Sequence, residues 1–330
     1  MKQFLIIQTA FIGDAILATG MVEKLAQHFP DAAIDMLVRK GNEGLLQNNP
    51  HLREVLIWDK KSGKYKNLNQ QLQKIRATHY DKVINLQRFG ATGLLTGLSG
   101  AKEKIGFKKN PFSFLFTEKH PHEIGNGTHE IERNHVLIAS FTDQHATKPK
   151  LYPSIADKQK VEAYLKKPFV CLAPTSVWFT KQLPAAKWVY LIRELASRFQ
   201  IYLLGAPGDF EACEQIIKDA KVTQGVTNLA GKLSMLQSAA LMQQAHMNYT
   251  NDSAPMHMAS SMNAPTTAVF CSTVPKFGFG PLADISYVVQ TRENLDCRPC
   301  GLHGYKACPL KHYQCANTIS ISELADTSLN

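Results

Sequence analysis

Short apolar runs alternate with stretches of helical period along the chain. In the first half the runs are Gln3–Gln8 (QFLIIQ), Ala33–Val38 (AIDMLV), Glu54–Asp59 (EVLIWD) and Asp81–Gln87 (DKVINLQ). Their length and their polar boundaries predict strands. Between them Ala15–His28, Gly41–Asn48 and Asn67–Ala77 read as helices. In the first of these, Ile16, Met21, Val22, Leu25 and Phe29 fall roughly on one face. A less regular region follows from about Phe107 to Asn126, then a helix over roughly Glu130–Thr142. The polar, proline-bearing segment at about 143–167 reads as a linker.

The alternation then restarts. Phe169–Pro174, Ile201–Pro207, Val226–Gly231, His246–Asp252 and Thr266–Cys271 read as strands. The helices predicted among them are Ala185–Arg198, Asp209–Asp219, Leu233–Gln244 and Ser253–Met262. Alternation of this kind predicts an α/β protein with two Rossmann-like domains, over 1–150 and 151–330. Each would have a parallel sheet, with ligands at the carboxyl ends of the strands facing a central cleft. A chain of 330 residues also exceeds what one core usually serves.

Composition adds two constraints. The formal net charge is +10, with the basic residues scattered apart from a cluster near Lys108. With no nucleic-acid motif and no basic helical stripe, this favours nucleotides or phosphorylated lipids over DNA. No segment has the length of a membrane span, and the apolar start reads as a first strand rather than a signal peptide. The expectation is a cytoplasmic protein with reduced thiols.

The candidate chemistry lies just after the strands. Asp14, in AFIGDAI, follows a glycine and opens a helix, so it is either a cap or a working carboxylate. The G-x-G-x-x-G dinucleotide fingerprint is missing there. In APTSVWFTKQLP, the hydroxyls of Thr175, Ser176 and Thr180 and the amine of Lys181 precede a helix opened by Pro184. Such a set suits either a pyrophosphate cradle or a plain solvated loop. In TNDSAPMHMAS, Asp252 and Ser253 begin a helix with Pro255 in its first turn and His257 one turn in. That is either a phosphate-binding helix start or only a well-capped turn. Cys297, Cys300, Cys308 and Cys315, with His303 and His312 nearby, offer a structural zinc set or a compact thiol-rich loop. Cys171, Cys213 and Cys271 read as core.

Taken together, three motifs resemble glycosyltransferase family 9, the lipopolysaccharide heptosyltransferases. They are IGDAILATGMVEKL, TKQLPAAKW and TNDSAPMHMASSMNAPTTAVF, with the terminal CRPCG…CPL run as a fourth likeness. The resemblance implies the GT-B fold and an inverting, metal-independent transfer without cofactor. The donor would be ADP-L-glycero-D-manno-heptose. The acceptor would be an anionic glycolipid, lipid A-Kdo or inner core, at the inner face of the cytoplasmic membrane. By the same resemblance Asp14 matches the catalytic base, and Thr180 and Lys181 the holders of the donor diphosphate. Asp252 matches the acid near the donor sugar. Ser253, Ala254 and His257 match the helix start beneath the diphosphate. The family more often has glycine where Ala254 stands, and Lys-Arg-Trp-Pro where this chain reads Lys181-Gln182-Leu183-Pro184. A transferase of another nucleotide sugar, or a GT-B protein that binds without turnover, would fit the same fold. Lys102, Lys104, Lys108 and Lys109 with Phe107, Phe112 and Phe114 form either the expected patch for membrane attachment or core phenylalanines among solvated lysines.

Overall fold

The computed structural model describes residues 1–328 and divides into two compact units, Met1–Tyr152 and the described chain from Pro153 onward. In the first, β1 (Gln3–Ile7) leads into α1 (Ile12–His28), followed by β2 (Ala33–Arg39), β3 (Leu52–Trp58) and α2 (Lys64–Thr78). Then come β4 (Lys82–Asn85), α3 (Gly90–Gly97), β5 (Glu103–Phe107), β6 (Glu118–His120) and α4 (Glu130–His135). The sheet order is β3-β2-β1-β4-β5-β6, and each pairing is parallel. Leu5, Ile7, Leu37, Val83 and Trp58 of the strands pack with Ile75 of α2 and Leu95 of α3.

The second unit repeats the plan. It starts with α5 (Ile155–Val161), β7 (Phe169–Ala173), α6 (Ala185–Leu195), β8 (Gln200–Leu203) and α7 (Phe210–Ala220). It continues with β9 (Val226–Asn228), α8 (Met235–Gln244), β10 (Met247–Asn251), α9 (Ala254–Ser261), β11 (Thr266–Phe270) and β12 (Ser286–Gln290). Two short helices, α10 (Gln314–Asn317) and α11 (Ile321–Asp326), follow. The order β12-β11-β10-β7-β8-β9 is again wholly parallel. Every residue of β7, β10 and β11 is buried, as expected of strands covered on both faces.

Some elements differ from the pattern. Gly41–Asn48 contains only the 3₁₀ turn Glu43–Leu45, since glycine and asparagine favour turns over a sustained helix. The helix expected over Glu130–Thr142 stops at His135 and continues as i→i+3 turns. The expected linker is more structured than its composition suggests. Within it α5 is capped by Ser154, whose hydroxyl accepts from the Asp157 amide. Before that, the chain is laid along α1. Lys24 pairs with Asp143 at 3.0 Å, the Lys150 amide donates to Thr19 Oγ1 at 2.9 Å, and the Tyr152 hydroxyl donates to both Glu23 oxygens at 2.9 and 2.8 Å.

That lay-down depends on Gly20, because a Cβ there would run into the Thr147 carbonyl. Gly20→Ala should therefore destabilise the fold by about 1–3 kcal/mol, the usual cost of overpacking, even though alanine is the better helix former. Urea and thermal unfolding measure it. An unchanged midpoint would mean that residues 143–152 do not rest on α1.

Candidate active site

Both sheets reverse their direction of growth once. In the first, the chain builds outward from β1 through β2 to β3, then returns to add β4, β5 and β6 on the other side. In the second, β7, β8 and β9 grow one way and β10, β11 and β12 the other. At such a switch point the loops after the two central strands part, leaving a crevice at their carboxyl ends. The loop after β1 leads into the first turn of α1, which carries Asp14. The loop after β7 carries Thr175 to Lys181, and the loop after β10 carries Asp252 and Ser253.

In the first unit Asp14 is not the cap of α1. Phe11 holds the cap position, and Asp14 stands in the first turn, where its Oδ2 accepts the Phe11 amide at 3.1 Å. The side chain is half-buried and belongs both to the helix start and to the surface of the crevice. The chain ahead of it is held by side chains from neighbouring strand ends. Lys60 donates to the Thr9 carbonyl at 2.6 Å, and Asn42 Nδ2 to the Ala10 carbonyl at 3.2 Å. The Arg39 guanidinium lies 5.0 Å from the centre of the Phe11 ring. Gln8 Oε1 accepts from the Ala10 amide at 3.2 Å and from Gln87 Nε2 in the loop after β4. Burial, with Arg39 and Lys64 adding repulsion, pushes the Lys60 ammonium down to about 8. The sequence reading missed Arg39 and Lys60. Their signal was position: Arg39 ends β2, and Lys60 comes two residues after β3.

In the second unit Lys181 and Asp252 meet. Lys181 Nζ lies 2.7 Å from Asp252 Oδ2, and the same oxygen accepts the Thr273 hydroxyl at 2.6 Å. Both side chains of the ion pair are largely buried. Thr180 is only 1% exposed. Its hydroxyl accepts from the Tyr305 amide at 2.7 Å and from Ser272 Oγ at 3.0 Å. Ser253 stands at the N-cap position of α9 without a capping hydrogen bond from its side chain, and its hydroxyl donates to the Asn251 carbonyl at 3.4 Å. Ala254 is the first residue of α9, Pro255 follows it, and His257 is buried one turn along. Thr175 and Ser176 are half-buried in the loop above β7. Asn251 organises that loop. Its Nδ2 donates to the Ala173 and Pro174 carbonyls at 3.3 and 2.9 Å, and its Oδ1 accepts the Leu183 amide at 2.9 Å. The sequence reading passed over Asn251, because an asparagine at a strand end carries no local signal of a loop some seventy residues away.

Two sequence readings can be set against the geometry. The cysteine set is not assembled as a metal centre. Cys297 and His312 approach to 3.9 Å and Cys315 is buried, but among the described residues no group of three or more ligand-type side chains is gathered. Burial also raises the Cys315 thiol to about 11. The basic-aromatic patch is smaller than expected as well. Phe107 is core, packed edge-on against His122 at 4.4 Å between ring centres, and Lys102 is paired with Asp81 at 2.7 Å. Phe89 joins Phe112 and Phe114 there, since Gly90 packs directly against the Phe112 ring. Phe89 and Phe114 are 64% and 70% exposed, beside the exposed Lys108 and Lys109. Among the described residues no helix is long and apolar enough to cross a membrane.

Known proteins resemble this chain in sequence and in fold. The sequence profile of Glycosyltransferase family 9 (heptosyltransferase) matches residues 69–312. Lipopolysaccharide heptosyltransferase 3 of Escherichia coli K12 is 30% identical over 282 residues, covering 79% of this chain and 80% of that protein. Lipooligosaccharide heptosyltransferase 2 of Campylobacter jejuni is 23% identical and covers 100% of this chain and 98% of its own. Among solved structures, E. coli ADP-heptose lps heptosyltransferase II superposes with a TM-score of 0.78 at 20% identity, over 99% of this chain and 97% of that one. E. coli heptosyltransferase WaaC with ADP gives 0.70 at 20%, over 87% and 93%. The two-sheet architecture is thus the GT-B fold of these enzymes. Sequence, fold and the order of the motifs agree: the chain belongs to glycosyltransferase family 9, the heptosyltransferases.

Proposed function

We propose that this glycosyltransferase moves a heptose from an ADP-linked donor onto an anionic lipopolysaccharide-core glycolipid, with inversion and without a catalytic metal. The observation that carries the reading is the buried Lys181–Asp252 pair at the switch point of the second sheet, next to the start of α9. A lysine in that place can take the charge of a departing diphosphate, and the helix start adds its dipole. The relatives' names point the same way, since they speak of ADP-heptose and of lipopolysaccharide.

In this reading 153–330 binds the donor and 1–152 the acceptor. Lys181, Ser253, Ala254 and the α9 turn around His257 face the diphosphate. Asp252 stands by the donor sugar, and Thr175 and Ser176 line the loop above it. Thr180 serves the same group by fixing the backbone on which Lys181 stands. The acceptor hydroxyl attacks the anomeric carbon as the bond to ADP breaks, and Asp14 takes its proton. Asp14 fits this task because its carboxylate is held by the Phe11 amide yet remains half-buried rather than enclosed.

Paired substitutions test the assignment. Asp14→Asn should lower turnover by about 10²–10⁴-fold, the usual contribution of a general base, with ADP affinity nearly unchanged. Lys181→Ala should weaken ADP far more than adenosine. Turnover should survive EDTA. Wild-type turnover in Asp14→Asn, equal loss of both ligands in Lys181→Ala, or rescue of an EDTA-treated enzyme by Mg²⁺ would each remove one part of the mechanism.

The acceptor is expected to bring phosphate or carboxylate groups, and Lys60 with Arg39 is placed to meet them beside the Asp14 loop. An ammonium lowered to about 8 keeps its charge at pH 7 and loses it as pH rises past that value. The KM for acceptor should therefore climb between pH 7 and 9 while the KM for donor stays flat. In Lys60→Met the acceptor KM should be high and insensitive to pH over the same range. A wild-type acceptor KM that is flat across this range would take Lys60 out of the acceptor site.

Attachment to an anionic membrane surface is part of the same proposal, through Phe89, Phe112 and Phe114 with Lys108 and Lys109. Each cation contributes roughly 1 kcal/mol near such a surface, screened by salt over about 8–10 Å. Co-sedimentation with anionic liposomes should fall steeply with salt and with the double change Lys108→Glu, Lys109→Glu. Binding to neutral vesicles that is just as strong would leave the lysines without that role.

A further inference from the structure

The cysteine-bearing segment after β12 is the one motif that the function above leaves unused. It is hydrogen-bonded first to the loop after β11 and then to the loop after β7. Arg298, half-buried, spends its guanidinium on four acceptors. Nε donates to the Cys271 carbonyl at 2.7 Å. A terminal nitrogen reaches the Thr273 carbonyl at 2.7 Å, the Phe270 carbonyl at 3.2 Å and Gln290 Oε1 at 2.7 Å. Three of these four are backbone carbonyls at the carboxyl end of β11 and in the loop just after it. An arginine satisfies several at once because its donors are fixed in a planar fork, which lysine lacks. Two residues on, the Cys300 amide donates to the Ser272 carbonyl at 2.8 Å.

The segment then crosses to the other loop. The Tyr305 amide donates to Thr180 Oγ1 at 2.7 Å, and the Tyr305 carbonyl accepts the Thr180 amide at 3.1 Å. Gly304 permits this approach. Its φ is +75°, and a Cβ there would lie 2.8 Å from Thr180 Oγ1 and 3.1 Å from Lys181 Cγ. Residues 298–305 thus clasp 270–273 to 180–181. Inside the clasp, the Thr273 hydroxyl donates to the Asp252 oxygen that pairs with Lys181.

We propose that Arg298 is a positioning residue for the donor site: by fixing the Cys271–Thr273 backbone it aims the Thr273 hydroxyl at Asp252, and so sets where the Lys181 ammonium stands. The task of the terminal cysteine-bearing segment, on this account, is to hold the donor loops in register. The inference rests on the reading of Lys181 and Asp252 as donor-binding groups.

The test uses the full-length enzyme and four variants: Arg298→Lys, Thr273→Val, their combination, and Lys181→Ala as reference. The readouts are kcat, the KM values for ADP-heptose and for acceptor, the Kd for ADP, and Tm. Arg298→Lys should lose roughly 10- to 100-fold in kcat/KM for the donor and weaken ADP, the scale on which displaced supporting groups act, with the acceptor KM unchanged. Thr273→Val cuts the relay while sparing Arg298, so it should show the same loss. The double variant should lose little more than either single one, because both act through one path. Wild-type donor kinetics in a folded Arg298→Lys overturns the proposal. So do losses that multiply in the double variant, or a lowered Tm with intact ADP binding. If Arg298→Lys does not fold, Thr273→Val decides alone, and wild-type donor kinetics there overturns the proposal. Should Lys181→Ala leave ADP binding untouched, the donor-site reading falls and this inference with it. If Lys181→Ala weakens ADP and Arg298→Lys does not, only the inference falls.

Discussion

A carboxylate almost out of contact with water must be paired, and Asp252 is paired twice on one oxygen, by the Lys181 ammonium and the Thr273 hydroxyl. Burial of an ion pair is costly unless further hydrogen bonds complete it. Much of the second unit can be read as meeting that condition. Asn251, the residue before Asp252, ties the loop after β7 to β10, which brings Lys181 within reach. Thr180, the residue before Lys181, is pinned by Tyr305 and Ser272. Thr273 is held through its carbonyl by Arg298. Each member of the charged pair is thus flanked by a neutral group whose hydrogen bonds fix its backbone.

The same logic explains why both units use the strand order that reverses at the centre. A parallel sheet has all its carboxyl ends on one edge, and the reversal leaves two adjacent loops that need not cover each other. In the first unit those loops follow β1 and β4; the first leads into the α1 turn that carries Asp14, and the second carries Gln87. In the second they follow β7 and β10, and they carry Lys181 and Asp252. The chemistry is spread over separate stretches of chain, but in each unit the topology gathers it to one edge.

That geometry also decides what was legible in the sequence. The strands around Ile6, Leu37, Val83, Val170 and Tyr249 were readable because a buried parallel strand is a short apolar run with turn residues after it. The residues just beyond those runs were readable for the same reason, which is how Asp14, Lys181 and Asp252 came into view. β5 and β6 were not, because Glu103, Lys104, Glu118 and Lys119 dilute the apolar signal near one edge of the sheet. Phe107 was misjudged because its neighbours are lysines, while the fold turns that one ring inward against His122. Arg298 and Asn251 were invisible as functional residues. Each acts on backbone carbonyls brought near by tertiary folding, and a carbonyl has no letter in the sequence.

The two proposed sites also treat their cations differently, and in that reading the difference bears on how each ligand is recognised. Lys181 is already neutralised. In the proposed donor site an arriving diphosphate would replace one anion by another at the lysine, and Asp252 would keep the Thr273 hydroxyl as partner. The net gain from that exchange is small per contact, so specificity there has to come from geometry, which is what the clasp around Thr180 and Thr273 supplies. Lys60 instead donates to a backbone carbonyl, with the cations Arg39 and Lys64 near enough to disfavour its charge. Its desolvation is borne by the empty protein, and an arriving anion relieves it. A site of the first kind selects by shape and releases its product readily, since the carboxylate reclaims the lysine. A site of the second kind attracts any suitably placed negative group and is sensitive to pH and salt. For the proposed transfer from a nucleotide sugar to a polyanionic glycolipid, that division of electrostatics suits the chemistry of the two substrates.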